Sequence, residues 1–391
     1  MKILVISQYY DPEPFRIGDI CRELIFRGHD VTVIAGVPNY PEGETYPGYE
    51  KGQRRDEVCD GVKIHRCFTI PRKTGTLCRM LNYYSYALSA SLYVRKLKED
   101  FDVVFINQLS PVMQACPGVV YARRHKTPIV MYCLDLWPES LTVGGISRGS
   151  VVYRLFHGIS KKIYTKMNKI LVTSRSFTEY LQVQFGVCKS VIEYLPQYAE
   201  EMFDGVSREK ETGDWHFTFA GNVGEAQDVQ TILGAAALVK DLSATFHIVG
   251  SGSDLERLKQ QAEELQLHNV VFHGRRPLEE MPEFYQKSDA MLITLGADPV
   301  LSFTLPGKVQ SYMAAGKAVI GAINGETASV IADADCGLCS QSGDAQTLAQ
   351  NIRQFIADPQ RDRYGRNARN YYEARFTKER FISQLENALR G

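Results

Sequence analysis

A chain of 391 residues is longer than one hydrophobic core ordinarily supports, so two domains are expected. Its 44% hydrophobic and 23% charged residues exclude a disordered or low-complexity chain, and no run reaches the roughly 20 apolar residues that span a bilayer. Net charge is formally zero but uneven: residues 1–200 hold 26 Lys and Arg against 19 Asp and Glu, so the front half is expected to meet an anionic partner.

Nucleic acid is not expected as that partner, because neither a basic-aromatic module nor a zinc spacing is present. The opening Met1–Ile6 run is too short for a secretory signal. Nine cysteines with no spaced framework read as the usage of a reducing cytoplasm. Cys336 and Cys339 form a lone CxxC, read as part of a buried strand and not as a metal site.

Taken in order, Lys2–Ser7 is a short apolar strand and Val31–Ala35 a second. Between them Ile17, Ile20, Cys21, Leu24 and Ile25 recur at helical spacing up to Gly28-His29, which makes a βαβ unit. The first loop lacks the GxGxxG of a dinucleotide site, which argues against an oxidoreductase. Arg16, where that loop becomes helix, either reaches an anion at the sheet edge or pairs with Glu13 or Asp19. Residues 37–61, rich in Pro, Gly and Tyr, read as a long functional loop. A strand at Val62–Arg66 precedes a helix over about 77–98. Strands at Asp102–Ile106 and Pro128–Cys133 follow, and the second leads into the loop Leu134–Ser140. The basic stretch Arg148–Lys169 alternates with Tyr153, Leu155, Phe156, Ile159, Ile163 and Tyr164. It reads either as a helix lying on an anionic membrane or as a solvated basic face over a packed one. Ile170–Thr173 is a further strand.

Residues 197–214 are polar and read as a linker. The α/β pattern then restarts, with strands at His216–Ala220, Thr245–Val249, Val270–Phe272, Ala290–Thr294 and Ala318–Ile320, and helix from Ala345 to the end. The domains are thus read as 1–196, joined by a returning C-terminal helix over about 376–391, and 215–375. Both are Rossmann-like doubly wound α/β domains, expected to face each other across a cleft.

Four corners of the second domain carry the chemistry. Gly221, Asn222, Gly224 and Gln227 follow its first strand, Gly250 its second, and Gly274-Arg275 its third. Leu305-Pro306-Gly307-Lys308 opens a helix that stops at Gly316-Lys317. Backbone N–H groups at strand ends and helix starts bind anions, and Lys308 adds a positive charge. All four would lie on one edge of a parallel sheet, where such folds take their ligands. Asp333 and Asp335 form a literal DxD far from these loops and read as a surface coincidence.

The motifs MKILVISQYYDPEPFRIGDI, RGHDVTVIAGVPNYPEG, LDLWPES, VTSRSF, FAGNVGEAQD, IVGSGSD and LPGKVQSYMAAGKAVIG together resemble the retaining glycosyltransferases of family 4, across essentially the whole length. The resemblance is to the bacterial O-antigen and capsule enzymes of the L-fucosamine (FucNAc) transferase type. It implies the GT-B fold and a nucleotide-sugar donor, usually UDP-linked, as co-substrate, without a further cofactor or a metal. It also implies front-side displacement with retention, and a cytoplasmic enzyme peripherally attached to the inner membrane. The acceptor would be an undecaprenyl-diphosphate-linked glycan. By position, the Gly221–Gln227 loop and the start of the Lys308 helix would hold the diphosphate, the Gly274-Arg275 loop would lie by the base, and Asp135 would orient the acceptor hydroxyl.

Three positions depart from the family pattern. Phe303 and Ser311 stand where many members have glutamates, the second of which binds the ribose. Asn222 and Gln227 replace Arg and Lys, and Leu134 replaces a His before Asp135. Lys308 and Arg16 thereby carry more of the phosphate charge. Two other readings remain: a sugar-nucleotide epimerase on the same fold, for which Asp135 and Glu139 are the only visible acid/base groups, and a non-catalytic nucleotide- or glycan-binding protein.

Overall fold

The computed structural model describes residues 1–73, 75–206 and 213–391 and divides into two compact units, Met1–Leu195 with Ile382–Gly391, and Pro196–Phe381. In the first unit the elements run β1 (Lys2–Ile6), α1 (Ile17–Phe26), β2 (Asp30–Gly36), β3 (Asp56–Cys59), β4 (Val62–Cys67), α2 (Thr76–Val94), β5 (Val103–Gln108), α3 (Cys116–His125), β6 (Ile129–Cys133), α4 (Ser140–Val143), α5 (Val151–Tyr164), β7 (Lys169–Val172), α6 (Arg175–Phe185) and β8 (Ile192–Tyr194). They form one sheet in the order β3-β4-β2-β1-β5-β6-β7-β8, parallel throughout except for β3 against β4.

Central strands such as Ile3-Leu4-Val5-Ile6 are apolar on both faces because helices cover both, and all four side chains are fully buried. Ser150 caps α5 by accepting from the Tyr153 N–H at 3.1 Å, and Ser174 caps α6 through the Ser176 N–H at 3.2 Å. The expected loop over 37–61 holds an edge strand, β3, because Asp56–Cys59 pairs antiparallel with β4. Its sequence Asp-Glu-Val-Cys shows no two-residue alternation, so nothing separated it from loop composition.

The second unit continues with β9 (Trp215–Ala220), α7 (Val229–Leu238), β10 (Ala244–Val249), α8 (Leu255–Glu264), β11 (Val270–Gly274), α9 (Met281–Lys287), β12 (Ala290–Thr294), α10 (Pro299–Ser302), α11 (Gly307–Ala314), β13 (Ala318–Ala322), α12 (Glu326–Asp333), β14 (Gly337–Ser340), α13 (Ala345–Ala357), α14 (Asp362–Arg375) and α15 (Lys378–Arg390). Its six strands are all parallel, in the order β11-β10-β9-β12-β13-β14. Residues alternate between two cores: Phe217, Phe219, Phe246 and Ile248 pack with α7 and α13, and Ala220, Val249 and Met291 with α9 and α11.

The stretch 197–214, read from composition as a linker, differs in part. Ala199 and Phe203 are buried in the core of the second unit, where Phe203 stacks on Tyr285 at 4.8 Å, so the polar residues around them hide two apolar anchors. Residues 207–212 of that stretch lie outside the described residues. The last helical run breaks after Arg375, and residues 382–391 count with the first unit. There Glu386 accepts from Arg27 at 3.0 Å and contacts His29 Nε2 at 2.7 Å, which gives His29 a structural role. Cys336 and Cys339 flank and enter β14 as free thiols, and Asp335 lies in the exposed turn between α12 and β14.

Candidate functional site

In the second sheet, β9 lies between β10 and β12, so the chain leaves the sheet in opposite directions on its two sides. Ligands of parallel sheets bind at such a switch point, beyond the carboxyl ends of the strands. The predicted corners collect there through backbone contacts. The Gly221 N–H donates to Val249 O at 2.9 Å, Gly250 N–H to Gly274 O at 2.8 Å and Val223 N–H to Ser251 O at 2.9 Å. Gly250 has φ +148°, and a Cβ there would lie 1.7 Å from Gly221 O, so only glycine allows the two loops to touch. From the β12 side, Gly296 N–H donates to Ala226 O at 3.0 Å and Thr294 Oγ1 to Gln227 O at 2.6 Å.

Leu305 is buried in the core and Pro306, in extended conformation, starts α11, whose first turn no side chain caps. The N–H groups of Gly307 and Lys308 thus begin a helix free of side-chain acceptors. Lys308 folds back from that turn over the β9 loop. Its Nζ donates to Gln227 Oε1 at 2.7 Å and sits 4.1 Å from the Phe219 ring centroid, and a Cβ on Gly221 would come within 2.8 Å of it. The ring face and the amide oxygen favour the ammonium. Burial opposes them and prevails, bringing the Lys308 pKa down to about 7. A positive charge that is costly to keep without an anion is thus positioned at a helix start between glycine loops.

The other residues expected at this edge occupy the rim. Asn222 is exposed and leans over Gly224 and Gly252, and Arg275 is exposed just past Gly274, where φ is +68°. Ser311, on the second turn of α11, is buried, with Oγ 3.4 Å from Gly307 O and 3.5 Å from Glu200 Oε2. A carboxylate therefore stands beside Ser311 after all, supplied from residue 200. Sequence reasoning missed it because it lies 111 residues away along the chain.

In the first unit the switch point is β1, between β2 and β5; Arg16 lies between β1 and α1, and Asp135 is tied to the loop after β5 through Ser110. Asp135 follows β6. Its two carboxylate oxygens accept from the hydroxyls of Ser110 and Ser140, and Trp137 Nε1 donates to Ser110 Oγ at 2.8 Å. Burial raises the Asp135 pKa above the usual carboxylate range while those hydroxyls pull it back. Arg16 precedes α1 and lies close enough to the Tyr132 hydroxyl to oppose the upward shift that burial imposes on it. Glu13 is fully buried and accepts from the backbone N–H groups of Asn39, Tyr40 and Tyr10 at 2.9, 2.8 and 3.1 Å. Burial still lifts its pKa to about 7.

Glu139 is likewise fixed. It accepts from Tyr153 Oη at 2.8 Å, Tyr180 Oη at 2.9 Å and Arg148 Nε at 3.0 Å. In α5, Tyr153, Phe156, Ile163 and Tyr164 are buried in the first unit, leaving Arg154, Lys161 and Lys162 exposed together with the apolar Val151, Val152 and Leu155. Of the apolar positions weighed as lipid-facing, Tyr153, Phe156, Ile163 and Tyr164 face the core, Ile159 is half-buried and Leu155 is exposed.

The sequence reading also missed a line of three imidazoles crossing β9, β10 and β11. His216 Nδ1 lies 3.0 Å from His247 Nε2, and His247 Nδ1 lies 2.9 Å from His273 Nε2. Two-residue alternation puts them on one face, but only the strand register sets them in series. Among the described residues no group of three His, Cys, Asp or Glu is arranged to hold a metal ion.

Comparison with known proteins agrees with this architecture. Residues 204–371 match the family model "Glycosyl transferases group 1" and residues 15–197 match "Glycosyl transferase 4-like domain". The chain is 26% identical over 423 residues to the putative colanic acid biosynthesis glycosyl transferase WcaI of Escherichia coli K12, covering all of both chains. It is also 26% identical to the probable glycosyltransferase WbjE of Pseudomonas aeruginosa, over 73% of this chain and 74% of that one. Among solved structures, sucrose-phosphate synthase of Thermosynechococcus elongatus aligns with a TM-score of 0.78 at 16% identity, covering 100% and 98% of the two chains. Anabaena HepE in complex with UDP and glucose aligns at 0.72 and 16%, covering 100% and 99%.

Proposed function

The chain belongs to the glycosyltransferases of group 1 and has their GT-B fold, and we propose that it transfers a sugar from a UDP-sugar to a lipid-linked glycan in the assembly of a bacterial surface polysaccharide. The observation that carries this reading is the convergence of three glycine loops and the uncapped start of α11 on Lys308. Backbone amides and one desolvated ammonium suit a nucleoside diphosphate, whose negative charge grows as the anomeric C–O bond breaks. The UDP in the HepE complex and the polysaccharide role in the WcaI description support the donor nucleotide and the class of product.

In the proposed reaction the bond from the anomeric carbon to the β-phosphate oxygen breaks and a bond to the acceptor oxygen forms on the same face, with retention and without a metal. The acceptor proton passes to the departing phosphate, whose charge Lys308 balances. Asp135, held by Ser110 and Ser140, orients the acceptor hydroxyl, and the Glu200 carboxylate beside Ser311 takes the ribose hydroxyls. The donor sugar in this reading is an N-acetylated deoxyhexosamine of the FucNAc type, and the acceptor is carried on undecaprenyl diphosphate at the inner membrane. An epimerase would draw its acid and base from Asp135 and Glu139, and Glu139 is already taken up by Tyr153, Tyr180 and Arg148.

A panel of nucleotide sugars tested by thermal shift checks this directly, since a ligand that binds only the folded chain raises its melting temperature. UDP-sugars are expected to stabilise, and UDP release is expected to require a lipid-linked acceptor. A chain that no nucleotide sugar stabilises, or that yields an epimer from UDP-sugar alone, would overturn the proposal.

A further inference from the structure

Helix α2 is apolar on both faces. Its inner side buries Tyr83, Tyr86, Ala87, Ala90 and Val94 around the fully buried Asn82, which accepts from Gln8 Nε2 at 2.7 Å and donates to Ile70 O at 2.7 Å. Its outer side carries Leu81, Tyr84, Leu88 and Leu92, which are 45%, 45%, 64% and 49% exposed and recur at three- and four-residue steps along one stripe. Phe68, 62% exposed, joins them, because its carbonyl accepts from Ser89 Oγ at 2.6 Å.

Charge is distributed to match. No Asp or Glu occurs between Asp60 and Glu99, while Arg79 flanks the stripe at one end and Arg95, Lys96 and Lys98 at the other, all exposed. Arg124, from the last turn of α3, donates to the Arg95 carbonyl and adds to that basic end. The acids next along the chain are paired, Glu99 with Lys2 and Asp100 with His125, and Asp56 on β3 is paired with His65. Among the described residues no helix is long and apolar enough to cross a membrane, so the stripe fits a surface-lying helix.

We infer that α2 is the face by which this chain lies on an anionic lipid bilayer, with the stripe among the acyl chains and the basic ends at the headgroups. The inference rests on the membrane-linked acceptor proposed above and moves the contact from α5 to α2.

Vesicle flotation of the full chain tests it. The wild type is expected to float with phosphatidylglycerol–phosphatidylethanolamine vesicles and not with phosphatidylcholine alone, and to be released by salt of about 0.5 M. Leu88→Glu with Leu92→Glu, at exposed positions, should leave the melting temperature unchanged and weaken flotation at least about tenfold. Lys161→Glu with Lys162→Glu on α5 should leave flotation intact. A double leucine variant that floats like the wild type, loss of flotation in the α5 variant, or a wild-type dimer that the leucine variant splits without any vesicle binding would each overturn the inference. Thermal shift with UDP reads donor binding independently of lipid, so failure here and failure of the proposed function are separable.

Discussion

Lys308 is where desolvation and function meet. Burial brings its pKa down to about 7, so at neutral pH the free protein holds only part of the charge a diphosphate needs. A bound diphosphate favours the protonated form, so binding takes up a proton. The sign follows: UDP affinity is expected to be flat below pH 7 and to weaken as pH rises above it, by up to about tenfold per unit. Calorimetry in buffers of different ionisation enthalpy measures the proton uptake. Lys308→Met should remove both the pH dependence and the leaving-group contact, lowering kcat about 100-fold. A variant with full turnover and an unchanged pH profile would show that the diphosphate lies elsewhere. The residue was legible in the sequence from the Pro-Gly corner before it. Its partners Gln227 and Phe219 were in a separate motif, and nothing in their spacing indicated that the lysine would fold back over them.

At the scale of elements, the donor edge depends on loops that touch backbone to backbone. Gly250→Ala places a methyl group 1.7 Å from Gly221 O at a φ of +148°. Either the loop after β9 shifts or the second unit loses stability, by at least about 3 kcal/mol. Urea unfolding should therefore show a lowered midpoint, together with loss of UDP binding, while Gly343→Ala at an open turn should alter binding little. Strand boundaries were readable because parallel strands buried on both faces are continuous apolar runs, as in Ala290–Thr294. The edge strand Asp56–Cys59 was not, since it is half polar and defined by its partner β4.

For the molecule as a whole, pH stability is set in part by His247. Burial and the neighbouring imidazoles of His273 and His216 bring its pKa down to about 4, so it stays neutral in the folded chain where the unfolded chain takes up a proton. Between about pH 6.5 and 4 the unfolded chain protonates this imidazole and the folded chain does not, so the His247 contribution makes stability fall as pH falls, by about 2 kcal/mol after allowance for solvent screening, while the raised Glu13 pKa contributes with the opposite sign. His247→Gln, which keeps a donor and an acceptor, should flatten this part of the profile in urea titrations at pH 7.5 and pH 5. An identical slope in the two proteins would remove His247 as its origin.

Sequence alone determined what local chemistry and periodicity encode: two α/β halves, most of their strands, and the glycine, proline and lysine corners of the candidate site. Tertiary structure decided what depends on register and on residues distant along the chain. It set Glu200 beside Ser311, tied Glu139 and Glu13 into fixed networks, lined up three histidines, and left one stripe of apolar residues on α2 exposed while burying Tyr153, Phe156, Ile163 and Tyr164 of α5. The physical reason is that a helix or strand shows its periodicity in its own sequence, whereas which face meets the core depends on the neighbour packed against it.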